Sequence, residues 1–247
     1  MEFNTISILG IPFIHGKVED VFAYLNEKGG LLTVPAAPNL ATIPKDKLYY
    51  KSLLESDIVI PDSGLMVLMW KLISFKPINK ISGLLFMNHF LDCLSIVEQK
   101  KIFLINPNEA EGEINRAFLN KRGLNITKDN IYAAPYYEDD SIEDAVLLSK
   151  IQAQRPHWIM INIGGGVQEK LGLFLKESLS YAPAILCTGA AIAFKTGSQI
   201  NIPNWADKFY LGWFYRCLSN PKLYVSRYTK GFKLVIIMLK YQSKIAS

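Results

Sequence analysis

Asp62 is the residue in this sequence best placed to move a proton. It follows the apolar run Ile58–Ile60 and Pro61, and Ser63-Gly64 directly after it open a helical pattern. A carboxylate at the carboxyl end of a buried parallel strand stands on the face where open α/β sheets bind their ligands. There it can take a proton from an attacking hydroxyl. The same position suits a helix N-cap, a role Asp also serves well, and position alone leaves both roles open.

A second constellation follows the run Trp158–Ile163. Gly164-Gly165-Gly166 let a phosphate or a sugar approach the backbone near a helix N-terminus, and Gln168 and Glu169 stand in the first turn beyond. Both side chains can hydrogen-bond sugar hydroxyls, and Glu in a first turn also suits the helix dipole. The segment GGGVQE is not a dinucleotide fingerprint, because Glu169 occupies the place of the third glycine and the preceding strand comes late in the chain. A nicotinamide-dependent enzyme is therefore disfavoured.

Other chemistries find little support. His15, His89 and His157 are far apart and show no metal-ligand spacing, and Asp139-Asp140 suits a solvated helix start as well as a carboxylate pair. No metal is expected. Cys93, Cys187 and Cys217 are too scattered for a disulfide framework or a metal knuckle. There is no GxSxG elbow and no Cys with an evident His partner.

The elements that must position these residues alternate in type. Strands are expected at Ile6–Leu9, Leu31–Val34, Ile58–Ile60, Ile102–Ile105, Trp158–Ile163 and Ala184–Cys187. Amphipathic helices are expected at Val18–Glu27, Lys45–Glu55, Glu109–Leu119, Ile142–Ala153 and Gln168–Leu179. Alternation of this kind predicts an α/β fold, a Rossmann-like, mostly parallel sheet with helices on both faces. Small and polar residues gather where strands end: Pro35 to Pro38, Pro61 to Gly64, Gly164 to Gly166, and Thr188-Gly189.

After Pro203 the pattern changes to helices rich in aromatic and basic residues, so residues 1–200 read as the α/β domain and 201–247 as a C-terminal helical appendage. Residues 208–247 hold eight of the 27 basic residues and no Asp or Glu, which leaves 19 basic against all 22 acidic residues in the rest. The whole positive excess of +5 therefore sits in this tail. Arg216, Arg227, Lys230 and Lys233 alternate with Trp213, Tyr215, Tyr224, Tyr228 and Phe232. Cations beside amphipathic rings suit an anionic bilayer surface. Packing against the α/β domain is the plainer reading, and nucleic acid is disfavoured by the apolar block LVIIML at 234–239. The start of the chain lacks a signal-peptide pattern, and no run has the roughly 18 to 20 apolar residues of a membrane span, so a cytoplasmic protein is expected.

Taken in order, these segments resemble the WecG/TagA/CpsF family of glycosyltransferases from about Leu31 to Phe232. Pro61-Asp62-Ser63 stands for the family's Pro-Asp-Gly turn, Lys80-Ile81-Ser82-Gly83 for its Arg-x-x-Gly, and INIGGGVQE for its strand into Gly-x-Pro-Lys-Gln-Glu. LGWFYR keeps Trp213 and Arg216 of the late Leu-Glu-Trp-x-x-Arg signature, and Ser226-Arg227-Tyr228 matches Arg-Arg-Tyr. Departures cluster near the expected donor site: Pro35 for the Asn of Thr-x-Asn, Ser63 for Gly, Lys80 for Arg, Leu85 for Asp, and Asn201 for Arg.

The resemblance implies an inverting, metal-independent and cofactor-free transfer of a sugar, N-acetylmannosamine or a related hexose, from a UDP-sugar donor. The implied acceptor is a polyprenyl-diphosphate-linked sugar, met at the inner face of the membrane during surface-polysaccharide synthesis. Asp62 is then the general base. Thr33, Ser63, Lys80, Gly164, Gly165, Gln168 and Glu169 are placed around the donor; Asn39, close in sequence to Pro35, is taken from proximity alone as a substitute for the missing Asn. Arg216 and Arg227 fall to the acceptor diphosphate, which Arg holds in bidentate fashion. The competing expectation is a catalytically silent subunit that binds a nucleotide-sugar or lipid head group. Oligomeric state stays open, homo-oligomers included.

Overall fold

The computed structural model describes residues 3–97, 100–138, 142–189, 191–197 and 231–244, with the single positions 218, 221 and 229. The chain runs through β1 (Thr5–Ile8), β2 (Ile11–Ile14), α1 (Val18–Lys28), β3 (Gly30–Thr33), α2 (Ala37–Leu40), α3 (Lys47–Leu54), β4 (Ile58–Val59) and α4 (Gly64–Ser74). It continues with α5 (Gly83–Asp92), α6 (Leu94–Val97), β5 (Ile102–Asn106), α7 (Glu109–Asn120), β6 (Ile131–Ala133), α8 (Ala145–Gln154) and β7 (Trp158–Ile161). The remaining described elements are α9 (Val167–Ser178), β8 (Ala184–Cys187), α10 (Ala191–Thr196) and α11 (Lys233–Tyr241).

Among the described residues, eight strands form one sheet in the order β1-β2-β4-β3-β8-β7-β5-β6. Every neighbouring pair is parallel except the β1–β2 hairpin. The expected mostly parallel α/β sheet is thus present. The hairpin turns on Leu9 and Gly10, both at positive φ (55° and 79°). Such a pair suits the right-handed twist of a two-residue hairpin, where Asn-Gly is the usual signal. Leu9 tolerates the conformation because it is fully buried, its N–H donates to Gln242 O at 2.7 Å, and its carbonyl accepts from Tyr50 Oη at 2.6 Å.

Both faces of the sheet are covered, and strand alternation sorts side chains between them. Leu32, Ile102, Leu104, Trp158, Met160 and Leu186 pack with Phe22 and Leu25 of α1, Phe86 and Phe90 of α5, and Leu119 of α7. The intervening Leu31, Phe103, Ile105, Ile159, Ile161 and Ile185 pack with Leu147 and Ile151 of α8 and with Leu171 and Leu175 of α9. Toward the β1–β2 edge a third cluster joins Phe13 and Val59 to Tyr49 of α3, Met66 and Trp70 of α4, and Leu234 and Met238 of α11. Helix α11 in the C-terminal segment therefore packs one face into the core of the α/β domain. Its apolar block divides, Leu234 and Met238 inward, Ile236 and Leu239 outward.

Helix α9 lies close on the sheet because of Gly172. A Cβ there would meet Leu31 Cδ1 at 2.7 Å and Cys187 Sγ at 2.8 Å. That approach brings the first turn of α9, and the glycine loop before it, to the carboxyl ends of β7 and β8.

Candidate active site

A cleft of about 310 Å³ opens at the carboxyl ends of the central strands. Val34 and Ala36 line it from the end of β3, Asp62 from β4, Pro107 from β5, Asn162 to Gly165 from β7, and Thr188 and Gly189 from β8. Gly83 and Leu84 at the start of α5, and Gln168 and Glu169 in α9, complete the walls used below. The sequence-predicted loops at strand ends thus converge on one cavity, where an open α/β sheet binds its ligand.

Asp62 is half-buried here, and it is not the cap of the helix that follows it. Ser63 takes that role, its Oγ accepting from Met66 N at 3.2 Å. Asp62 Oδ1 instead accepts from Gly83 N at 2.9 Å, the first N–H of α5. The positive end of that helix stabilises an anion at this point. A Cβ on Gly83 would stand 3.2 Å from Val34 Cγ1, so the start of α5 lies close against the chain leaving β3.

The glycine loop is organised by its own helix. Glu169 Oε2 accepts from Gly166 N at 2.6 Å, and Gly166 has φ +95°, which glycine adopts without penalty. Gln168 bridges to the next strand end: its Oε1 accepts from Gly189 N at 2.8 Å and its Nε2 donates to Glu169 Oε1 at 3.0 Å. Both side chains are almost wholly buried. They hold the loops around the cleft while also lining it. A Cβ on Gly165 would lie 2.7 Å from Asn39 Nδ2, so the Asn39 amide lies directly on the loop. A Cβ on Gly164 would meet nothing within 4 Å, so that residue faces open space.

Burial raises the Glu169 carboxyl to about 7, against the Gln168 and Gly166 N–H groups and the Lys170 charge, which pull it down. Lys170 is itself buried and pairs with Asp46 at 2.8 Å, fixing α9 to the N-terminus of α3. The Tyr49 hydroxyl is fully buried, has no hydrogen-bond partner, and is held well above its usual range by burial and by the Glu169 and Asp46 charges. Folded Glu169 keeps its proton to a higher pH than the unfolded chain. Its contribution to stability is complete below about pH 4.5 and is lost as pH rises through about 7. Glu169→Gln is expected to remove this dependence. Urea unfolding across that window should show the parent losing on the order of 3 kcal/mol relative to the variant. Parallel pH profiles for the two proteins would show that Glu169 does not titrate there.

The remaining expected site residues fall elsewhere. Thr33 is fully buried at the end of β3 and donates from Oγ1 to Ser56 Oγ at 3.1 Å, beneath the cleft rather than in its lining. Lys80 is half-buried in the segment leading into α5. Arg216 and Arg227 lie outside the described residues, as do Asp139 and Asp140. Among the described residues no three His, Cys, Asp or Glu side chains gather as metal ligands, and no helix is long and apolar enough to cross a membrane.

Sequence reading passed over Asn162 and named Thr188 only as part of a strand-end loop. Thr188 Oγ1 and Asn162 Oδ1 are buried without a hydrogen-bond partner, and both residues line the cleft. Asn162 Nδ2 donates to Asn106 Oδ1 at 3.1 Å, and Asn115 Nδ2 donates to the same oxygen at 2.8 Å. Unsatisfied buried oxygens are costly, and here they offer acceptors to a ligand's hydroxyl or amide. The signal was a polar residue ending an otherwise apolar strand.

Comparison with known proteins agrees with this architecture. The model of the Glycosyl transferase WecG/TagA/CpsF family matches residues 6–246. An N-acetylglucosaminyldiphosphoundecaprenol N-acetyl-beta-D-mannosaminyltransferase of Bacillus subtilis (strain 168) is 26% identical over 229 residues, covering 88% of this chain and 85% of its own. Proteins of the same name from Bacillus spizizenii (strain ATCC 23059 / NRRL B-14472 / W23) and Staphylococcus aureus (strain MRSA252) are 26% and 23% identical. They cover 80% and 88% of this chain, and 75% and 85% of their own lengths.

Proposed function

Since the chain belongs to the WecG/TagA/CpsF family of glycosyltransferases, we propose that it transfers a sugar, N-acetylmannosamine or a related hexose, from a UDP-sugar to a polyprenyl-diphosphate-linked acceptor with inversion at the anomeric carbon. The observation that carries this reading is Asp62, a carboxylate fixed by the N-terminus of α5 in a cleft that the N-terminus of α9 also lines.

Asp62 takes the proton of the acceptor hydroxyl as its oxygen bonds to C1 of the donor sugar. The bond from C1 to the UDP oxygen breaks on the opposite face, and its electron pair leaves with UDP. The charge that develops on the diphosphate is met by backbone N–H groups and by the positive ends of α5 and α9, with no metal required. Asn162 and Thr188 accept hydrogen bonds from the donor. Arg216 and Arg227 hold the acceptor diphosphate, and the basic tail keeps the enzyme at the inner face of an anionic membrane. The names of the relatives support the choice of acceptor, and their β linkage supports inversion from an α-linked UDP-sugar.

The test is transfer from a panel of UDP-sugars to a short-chain lipid-diphosphate N-acetylglucosamine, with EDTA present and the anomeric configuration of the product determined. One donor is expected to give a β-linked product. Binding of UDP-sugar without turnover of any donor would replace the enzyme with a silent binding subunit.

A further inference from the structure

Helix α4 leaves one side in solvent. Leu68, Leu72 and Phe75 follow one another at i, i+4 and i+7, exposed by 46%, 60% and 89%, while Met66, Val67 and Trp70 on the other side are buried. Phe75 is the more unusual of the three. It closes the helix at φ 55° and ψ 14°, donating its N–H to Lys71 O at 3.2 Å, a left-handed cap at which glycine is the favoured residue. Leu9 has the same positive φ but is fully buried and hydrogen-bonded. Phe75 instead holds an aromatic ring in solvent at a position where folding alone favours glycine.

The charges along this stretch of chain have one sign. Residues 64–91 contain no Asp or Glu, and Lys71 and Lys76, both exposed, flank Leu72 and Phe75. Helix α11 packs beside α4 and adds exposed Ile236 and Leu239 with exposed Lys233 and Lys240. Apolar side chains interleaved with lysines match a bilayer with anionic headgroups, the rings and aliphatic chains entering the interface and the ammonium groups staying at phosphate level. The edge is also tied to the chemistry. Helix α4 starts two residues after Asp62, and the segment that follows it returns to Gly83, whose N–H binds Asp62.

We infer that the exposed edge of α4, tipped by Phe75, inserts into an anionic membrane surface and sets the cleft against it, as a contact separate from the basic tail. This inference rests on the reading that the acceptor is lipid-linked. The full chain would be sedimented with phosphatidylglycerol–phosphatidylcholine vesicles and with pure phosphatidylcholine vesicles. Phe75→Gly is expected to lower partitioning onto the anionic vesicles about tenfold, with an unchanged or higher melting temperature because glycine suits the cap. Leu72→Gln, on the exposed side of the helix, is expected to act in the same direction. Partitioning of both variants equal to the parent would overturn the inference. So would equal binding of the parent to both vesicle types, or failure to bind either. A parent dimer without vesicles that Phe75→Gly dissolves would also overturn it, by assigning the edge to a second copy. Turnover of the short-chain acceptor needs no vesicle, so it reports on the transfer reading separately.

Discussion

Replacing Asp62 by Asn is expected to lower the rate of sugar transfer by about 10²–10⁴-fold, the usual worth of a positioned general base. The expectation is specific because of Gly83. Asparagine keeps an oxygen that accepts the Gly83 N–H, now made by Asp62 Oδ1 at 2.9 Å, so the start of α5 and the wall of the cleft stay in place. The negative charge and the ability to take a proton are lost. KM for the donor and the melting temperature are expected to match the parent, and kcat alone to fall. Asp62→Ala provides the contrast, since it removes the base and also leaves Gly83 N–H without its acceptor, which costs about 1–3 kcal/mol if it stays buried. Should Asp62→Asn turn over at the parent rate, the proton goes elsewhere and Asp62 is an anchor for α5.

The second large effect concerns the C-terminal segment. Leu234 and Met238 are both fully buried in the cluster with Tyr49, Met66 and Trp70. Leu234→Ala and Met238→Ala are each expected to destabilise the enzyme by about 2–5 kcal/mol, through lost burial and the cavity left behind. Chemical unfolding would measure it. A domain of ordinary stability has only about 5–15 kcal/mol in total. Cutting away residues 208–247 would thus remove a piece of the core together with the tail's charge, and release from vesicles would then report unfolding as much as lost attraction. Exposed Lys233, Lys240 and Lys244 offer a cleaner route. Changing all three to Gln is expected to weaken binding to anionic vesicles, at about 1 kcal/mol per lysine near the surface, while leaving the melting temperature unchanged. Binding that survives this triple change, with the fold intact, would move the electrostatic contact to other residues.

The parts of the fold that could be read from sequence were those with a strong local pattern. The central strands appear as unbroken apolar runs because both of their faces are covered, and α1, α3, α7, α8 and α9 show amphipathic spacing. The β1–β2 hairpin was half legible, since Ile6–Leu9 reads as a strand and matches β1 while β2 gave no such signal. The hairpin turn is Leu9-Gly10, and the positive φ at Leu9 is supported by partners at Tyr50 and Gln242 that no local reading connects. Beyond its Ser63-Gly64 start, α4 was also obscure, since apolar residues occur around its whole circumference, the buried side meeting α11 and the exposed side meeting solvent.

The site was legible in its location and less so in its roles. Strand-end loops identified the face, and Asp62 and the glycine loop do line the cleft. Gln168 and Glu169 read as ligand contacts because they are polar and follow glycines, and both line the cleft. Their protein partners, Gly189 and Gly166, were not legible, because they depend on β8 lying beside β7 and on α9 turning back over its own loop. Asn162 was hidden in the opposite sense. It is a single polar residue closing an apolar strand, and its amide donates to Asn106 while its own Oδ1 is left without a partner.

The seam between the two ends of the described chain bears on how the enzyme is made. Leu9 N–H donates to Gln242 O and Ser7 Oγ donates to Ser243 O, so the first hairpin is tied to residues just past α11. During synthesis the hairpin, Tyr49 and Trp70 emerge early, but the side chains that seal them arrive only after residue 234 has left the ribosome. Until then the growing chain carries an open apolar groove at one edge of its sheet. Contacts of such sequence separation form slowly and leave surfaces prone to aggregation. The described domain therefore completes its fold only once α11 has emerged, and a chaperone that shields this edge is expected to raise its yield more than one acting on the central strands.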